Sequence, residues 1–157
     1  MTRPATGEVP LADEAATTRL GASVAAALTP GDAVCLWGPL GAGKSTLARG
    51  LIRALTTADE EVPSPTFTLV QFYGGDPLPL AHFDLYRLTR AEEAYELGLD
   101  EALEDGAAII EWPERLEGRL PAHRLDIELA IVGEAPAESR LARLTPHGSW
   151  EGREIEV

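Results

Sequence analysis

The chain has 157 residues, 45% apolar and 25% charged, a length and composition that suit one folded domain without a disulfide or metal staple and exclude wholesale disorder. No apolar run approaches the ~18 residues of a membrane span, no secretory-type apolar segment follows Met1, and the single cysteine, Cys35, suits a reducing, cytoplasmic setting. The net charge of −13 lies in residues 58–157, where 22 acidic side chains face eight basic ones while residues 1–57 are nearly neutral, and it opposes unaided binding to a nucleic-acid phosphate backbone.

Residues 1–11 read as a loose tail. Asp13 to Leu28 reads as an amphipathic helix, with Leu20, Val24 and Leu28 at four-residue spacing, closed by the turn residues Thr29-Pro30-Gly31-Asp32. Ala33 to Trp37 is a short apolar run between turn signals, hence a buried strand. Gly38 to Gly43 is a glycine-rich loop, and Lys44 to Leu55 is helical, with Leu47, Leu51 and Leu55 on one stripe. After a loop over Thr57 to Pro65, Thr66 to Tyr73 and Leu80 to Leu85 read as an antiparallel hairpin turned at Gly74-Gly75-Asp76-Pro77. Arg90 to Glu104 is helical with a break at Gly98, and Ala107 to Glu111 is another buried strand. Arg124 to Val132 alternates Leu125, Ile127, Leu129 and Ile131 as a half-buried strand does, and Arg140 to Leu144 makes the last strand. The order of elements predicts an α/β domain over residues 12–147 with an added antiparallel part, and tails at 1–11 and 148–157.

The motif with chemical content is Gly38-Pro39-Leu40-Gly41-Ala42-Gly43-Lys44-Ser45, a G-x-x-x-x-G-K-S phosphate-binding loop (Walker A) with the required strand before it and helix after it. Glycine lets phosphate oxygens approach backbone N–H groups, and the helix adds its positive N-terminal end. Lys44 is the only lysine among 13 basic residues. Its compact ammonium suits the β- and γ-phosphates, and the Ser45 hydroxyl suits Mg²⁺. The fold expected is therefore P-loop NTPase-like, a mostly parallel sheet flanked by helices with an added hairpin. A dinucleotide fingerprint fits less well, because its third glycine position is Thr46.

Two acids end apolar strands and serve a triphosphate site. Glu111 follows the more apolar run and is the metal-side acid; Asp84 is placed to position or activate water. Each is otherwise a surface acid at a strand end. Trp112 is either core or a neighbour of the phosphates, and His82 reads as structural. No zinc spacing and no G-x-S-x-G element is present.

Five segments in this order carry a resemblance: Leu40-Gly-Ala-Gly-Lys-Ser-Thr46, Val62-Pro-Ser-Pro-Thr-Phe-Thr-Leu-Val70, His82-Phe-Asp-Leu-Tyr-Arg87, Glu96-Leu-Gly98 and Ile110-Glu-Trp112. The chain resembles the bacterial tRNA threonylcarbamoyladenosine biosynthesis ATPase family (TsaE) from about Asp13 to Arg143. The resemblance implies a small ATPase using ATP and Mg²⁺. Such a protein acts with two protein subunits of the complex that transfers threonylcarbamoyl to adenosine 37 of tRNA. It is not itself the transferase and does not grip tRNA unaided.

Carried over position by position, the nucleotide site takes in Leu40, Gly41, Ala42, Gly43, Lys44, Ser45 and Thr46. Thr17 lies near the nucleotide and Thr66 in a switch-like loop, while Trp112 joins the nucleotide site only through its position directly after Glu111. Ser45 and Glu111 hold the metal, and Lys44, Asp84 and Glu111 are the catalytic set. Pro39 departs from the family's usual Asp and removes one N–H from the loop. Arg87 and Arg140 are arginine-finger candidates or surface ion-pair partners. A P-loop small-molecule kinase is an alternative function, tested by phosphate transfer to nucleosides or sugars. A nucleotide-gated binding module is another, tested by Asp84→Asn and Glu111→Ala.

Overall fold

In the computed structural model, which describes residues 1–156, two short strands, β1 (Thr2–Pro4) and β2 (Gly7–Leu11), precede α1 (Glu14–Ala27), β3 (Ala33–Trp37) and α2 (Lys44–Leu55). There follow β4 (Val70–Tyr73), β5 (Leu80–Asp84), α3 (Glu92–Glu96), α4 (Leu99–Asp105) and β6 (Ala107–Glu111). A 3₁₀ turn at Pro113–Leu116 leads to the long strands β7 (Arg124–Val132) and β8 (Ser139–His147), a 3₁₀ turn at Gly148–Trp150, and β9 (Glu154–Glu156).

Seven strands form one sheet in the order β2-β8-β7-β3-β6-β5-β4. The central four, β7, β3, β6 and β5, are parallel, while β4 pairs antiparallel with β5, β8 with β7, and β2 with β8. The expected mostly parallel sheet with an antiparallel hairpin is thus present. Alternation along the buried strands sends successive side chains to opposite faces. Val34, Leu36, Ile109 and Ile127 pack with Leu20, Val24, Leu47 and Leu51 of α1 and α2. Ala33, Cys35, Phe83 and Ile110 pack on the other side with Ala94, Leu99 and Leu116. Helices therefore cover both faces, as a parallel sheet requires.

Helices α1 and α2 meet backbone to backbone at two glycines. A Cβ on Gly21 would lie 2.3 Å from the Leu47 carbonyl oxygen, and one on Gly50 would lie 2.5 Å from that of Thr18. This close seat brings the start of α1 to the loop that opens α2. No helix among the described residues is long and apolar enough to cross a membrane.

Cys35 lies in the central strand with no exposed surface, and burial pushes its thiol pKa up. The thiolate is the reactive form. Cys35 is therefore expected to resist iodoacetamide and disulfide reagents in the native protein and to react once denatured, which mass spectrometry of the alkylated chain measures.

The chain ends differ from expectation. Residues 1–11 are not a loose tail: β2 is the edge strand of the large sheet, and β1 pairs with β9 in a second, two-stranded sheet. Residues 148–156 are ordered as well, and Trp150 is fully buried. Gly7 and Pro10 disguise β2 in the sequence. An edge strand tolerates a proline because it needs partners on one side only. Strand β8 is accordingly not the last. The expected strand over Thr66 to Tyr73 begins only at Val70, since residues 65–68 form a turn and Leu69 takes a positive φ of 70°.

Candidate nucleotide site

The loop between β3 and α2 is shaped by glycine. Gly38 has φ 134°, and a Cβ there would lie 2.4 Å from the Leu129 carbonyl oxygen of β7. Gly41 and Gly43 also have positive φ, at 81° and 107°, and Gly43 starts α2 as its N-cap with no side chain of its own. The turn thus presents backbone at the N-terminus of a 12-residue helix, the local arrangement that receives anions.

Lys44 projects from the first residue of α2 into a cavity of about 380 Å³. Its Nζ donates to the Gly38 carbonyl at 2.6 Å and lies 3.6 Å from the centroid of the Trp112 ring. Only 5% of the residue is exposed. Burial pushes its pKa below the ordinary lysine value, against the opposing pull of Glu111, Glu114 and Asp84. The ammonium is held between one carbonyl and one aromatic face, with carboxylates nearby.

The two predicted acids stand side by side. Asp84 and Glu111 are register partners at the C-terminal ends of the parallel strands β5 and β6, and both line the cavity. Asp84 Oδ2 accepts from the Thr66 hydroxyl at 3.0 Å, and Oδ1 from the Tyr86 N–H at 3.1 Å. Thr66 in turn meets the Ser64 hydroxyl at 2.7 Å. The turn over residues 65–68 is what carries Thr66 to Asp84, so the departure from a regular strand has a structural consequence at the site. Glu111 Oε2 lies 2.6 Å from His82 Nε2, and both side chains are buried.

Of the residues expected at the site, Leu40, Gly41, Gly43, Lys44, Ser45, Thr46, Thr66, Asp84, Glu111 and Trp112 line this one cavity. Ala42 does not. It is fully buried in the core, and its N–H donates to the Pro39 carbonyl at 3.2 Å. Thr17 lies outside the cavity, in an adjoining cleft of about 240 Å³ that shares Gly41, Gly43 and Thr46 with it. Arg140 borders that cleft, donating to the Gly41 carbonyl at 3.0 Å and lying 3.6 Å from Glu138. Arg87 stands in no ion pair among the described residues, and its guanidinium lies over the exposed Phe67 ring at 4.3 Å.

Ser64, Tyr86 and the pairing of His82 with Glu111 are additions that the sequence reading missed. Two-residue alternation along β5 puts His82 on the face of Asp84, which was the available signal. Tyr86 packs on Trp112 with ring centroids 4.9 Å apart, so the Trp112 that covers Lys44 is itself braced.

The Ser45 hydroxyl and the two carboxylates are hard oxygen donors in one cavity. Among the described residues no three His, Cys, Asp or Glu side chains gather into an all-protein metal cage. Mg²⁺ is ordinarily held by one or two carboxylates plus substrate phosphates, so this donor set fits it.

Comparison with known proteins agrees with the sequence resemblance. A family model described as threonylcarbamoyl adenosine biosynthesis protein TsaE matches residues 11–140. Proteins named tRNA threonylcarbamoyladenosine biosynthesis protein TsaE are similar over most of the chain. That of Rickettsia bellii is 36% identical over 135 residues, covering 86% of this chain and 92% of its own. That of Bacillus subtilis is 40% identical over 115 residues, covering 73% and 71%. The crystal structure of Bacillus subtilis YdiB superposes with a TM-score of 0.73 at 29% identity, covering 96% of this chain and 91% of that one. On the strength of the family model and these relatives, the chain belongs to the TsaE family of tRNA threonylcarbamoyladenosine biosynthesis proteins.

Proposed function

We propose that this protein is a small Mg²⁺-dependent ATPase that supports threonylcarbamoyl modification of tRNA adenosine 37. It acts in the cytoplasm with two protein subunits of the threonylcarbamoyl-transferring complex and leaves the transfer itself to them. The observation that carries this reading is the convergence of Lys44, Ser45, Asp84 and Glu111 on one cavity at the glycine-rich start of α2.

The loop N–H groups and the helix end bind the triphosphate, and the Lys44 ammonium exchanges its Gly38 carbonyl for phosphate oxygens. Ser45 and Glu111 would hold Mg²⁺, which would supply positive charge against the phosphates. Asp84 positions the attacking water, and Thr66, bonded to Asp84, links the loop over residues 65–68 to that task. Thr17 receives the rest of the nucleotide in the adjoining cleft, a reading supported by the sharing of Gly41, Gly43 and Thr46 between that cleft and the main cavity. The acidic surface needs no RNA-gripping face, because the partner subunits hold the tRNA.

The test is phosphate release from Mg·ATP by the isolated chain, then with both partner subunits added. Slow release that rises with the partners is expected. Asp84→Asn is expected to lower the stimulated rate by roughly 100-fold or more, the scale of a lost general base, with nucleotide binding retained. Fast release that ignores the partners, or an unchanged rate in the Asp84→Asn variant, would contradict the reading.

A further inference from the structure

His82 has no place in the mechanism above, yet its geometry ties it to one oxygen of the site. Residues 82 and 84 of β5 share a face of the sheet with residues 109 and 111 of β6, because alternate residues point the same way. His82 is opposite Ile109 and diagonal to Glu111, within reach of a long side chain. The contact is short, 2.6 Å from Nε2 to Oε2, and water is excluded from it: His82 is 2% exposed and Glu111 4%. A carboxylate that ligates a metal only accepts, so in the metal-side reading of Glu111 the proton of this contact sits on Nε2, which donates. His82 Nδ1 is then left buried without a partner.

An unpartnered ring nitrogen in the interior is costly, and the protein retains it in exchange for a single bond to Glu111. That bond occupies Oε2. Among the described residues Oε1 has no hydrogen-bond partner, and Glu111 lines the cavity that also holds Ser45. Asp84 brackets the same carboxylate from the neighbouring register position.

We propose that His82 is a positioning residue for Mg²⁺ binding: its Nε2–H fixes one oxygen of Glu111 so that the other is presented to the metal. This rests on the reading that Glu111 stands on the metal side of a nucleotide site. Carboxylates that ligate metals depend on such outer hydrogen bonds for their orientation, and losing one typically costs roughly 10–100-fold in metal affinity.

Two amide variants separate positioning from packing. In His82→Gln the amide nitrogen falls near the place of Nε2; in His82→Asn it stops near that of Nδ1. The readout is Mn²⁺ binding to the full chain saturated with a non-hydrolysable ATP analogue, followed by electron paramagnetic resonance. Fluorescent-nucleotide affinity in EDTA is measured alongside. His82→Asn is expected to weaken Mn²⁺ binding by roughly 10–100-fold and to leave metal-free nucleotide affinity unchanged, with His82→Gln close to wild type. Adding Glu111→Gln to His82→Asn is expected to cost no more than Glu111→Gln alone, since His82 acts only through that carboxylate.

Wild-type Mn²⁺ affinity in His82→Asn overturns the proposal. So does equal loss in both amide variants, or an equal loss of metal-free nucleotide binding. If wild-type protein takes up no Mn²⁺ with nucleotide, or Glu111→Gln leaves uptake unchanged, the underlying reading of the site falls first, and this inference with it.

Discussion

Replacing Lys44 with methionine is expected to weaken nucleotide binding sharply while leaving the empty protein as stable as before or more so. The binding loss follows from the charge-assisted hydrogen bonds that the ammonium gives to phosphate. These are worth about 1.5–3 kcal/mol, or roughly ten- to a hundredfold in Kd. The stability effect runs the other way. Burial lowers the pKa of Lys44, so holding its ammonium charged in the folded protein carries a desolvation cost that the unfolded chain does not bear. The Gly38 carbonyl, the Trp112 face and the nearby carboxylates offset that cost without cancelling it.

The pH dependence has a definite sign. Between the lowered folded value and the ordinary value of 10.5, the unfolded chain binds the extra proton, so this group's contribution to stability rises with pH across that window. Methionine removes both the cost and its pH dependence. Thermal melts of Lys44→Met and wild type, with and without nucleotide, measure both effects. A variant that melts well below wild type without nucleotide contradicts this picture of the site.

Trp150→Ala is expected to be among the most destabilising single changes in the chain. Trp150 has no exposed surface and packs in the core on the α1–α2 side of the sheet, and the Arg153 guanidinium lies 4.3 Å from its ring centroid. Arg153 in turn meets Asp32 Oδ2 at 2.5 Å, and Ser149 donates to Asp32 Oδ1 at 2.9 Å. Asp32 directly precedes β3, so the last residues are tied to the strand that delivers the phosphate loop. Truncating a buried tryptophan costs about 3–5 kcal/mol, a fall in Tm on the order of 10 °C for a domain of this size. Calorimetry of the variant checks it. An unchanged Tm means that the terminal segment is not part of the core.

Legibility in the sequence followed the range of the forces involved. The strand–loop–helix of the phosphate loop needs only an apolar run, glycines and a helical stripe, all within Ala33 to Leu55, and it was legible. So were the alternation of Arg124 to Val132, which matches β7, and the helix break at Gly98, where φ reaches 100°. The terminal strands were not, because β1 and β9 have three residues each and owe their form to pairing with each other across the length of the chain.

At the site, residue types revealed the two carboxylates. They did not reveal which side chain holds which oxygen. The His82–Glu111 bond joins residues 29 apart, and Thr66 reaches Asp84 through a turn that interrupts an apparent strand. The stacking of Lys44 under Trp112 is likewise a product of the assembled sheet.

The most direct test of the central claim is isothermal titration of the wild-type chain with a non-hydrolysable ATP analogue, in Mg²⁺ and again in EDTA. One binding site per chain is expected, tightened by Mg²⁺ and weakened by Lys44→Met. Absence of binding heat in Mg²⁺, or binding that is indifferent to both the metal and Lys44, contradicts the assignment of this cavity to a metal–triphosphate ligand.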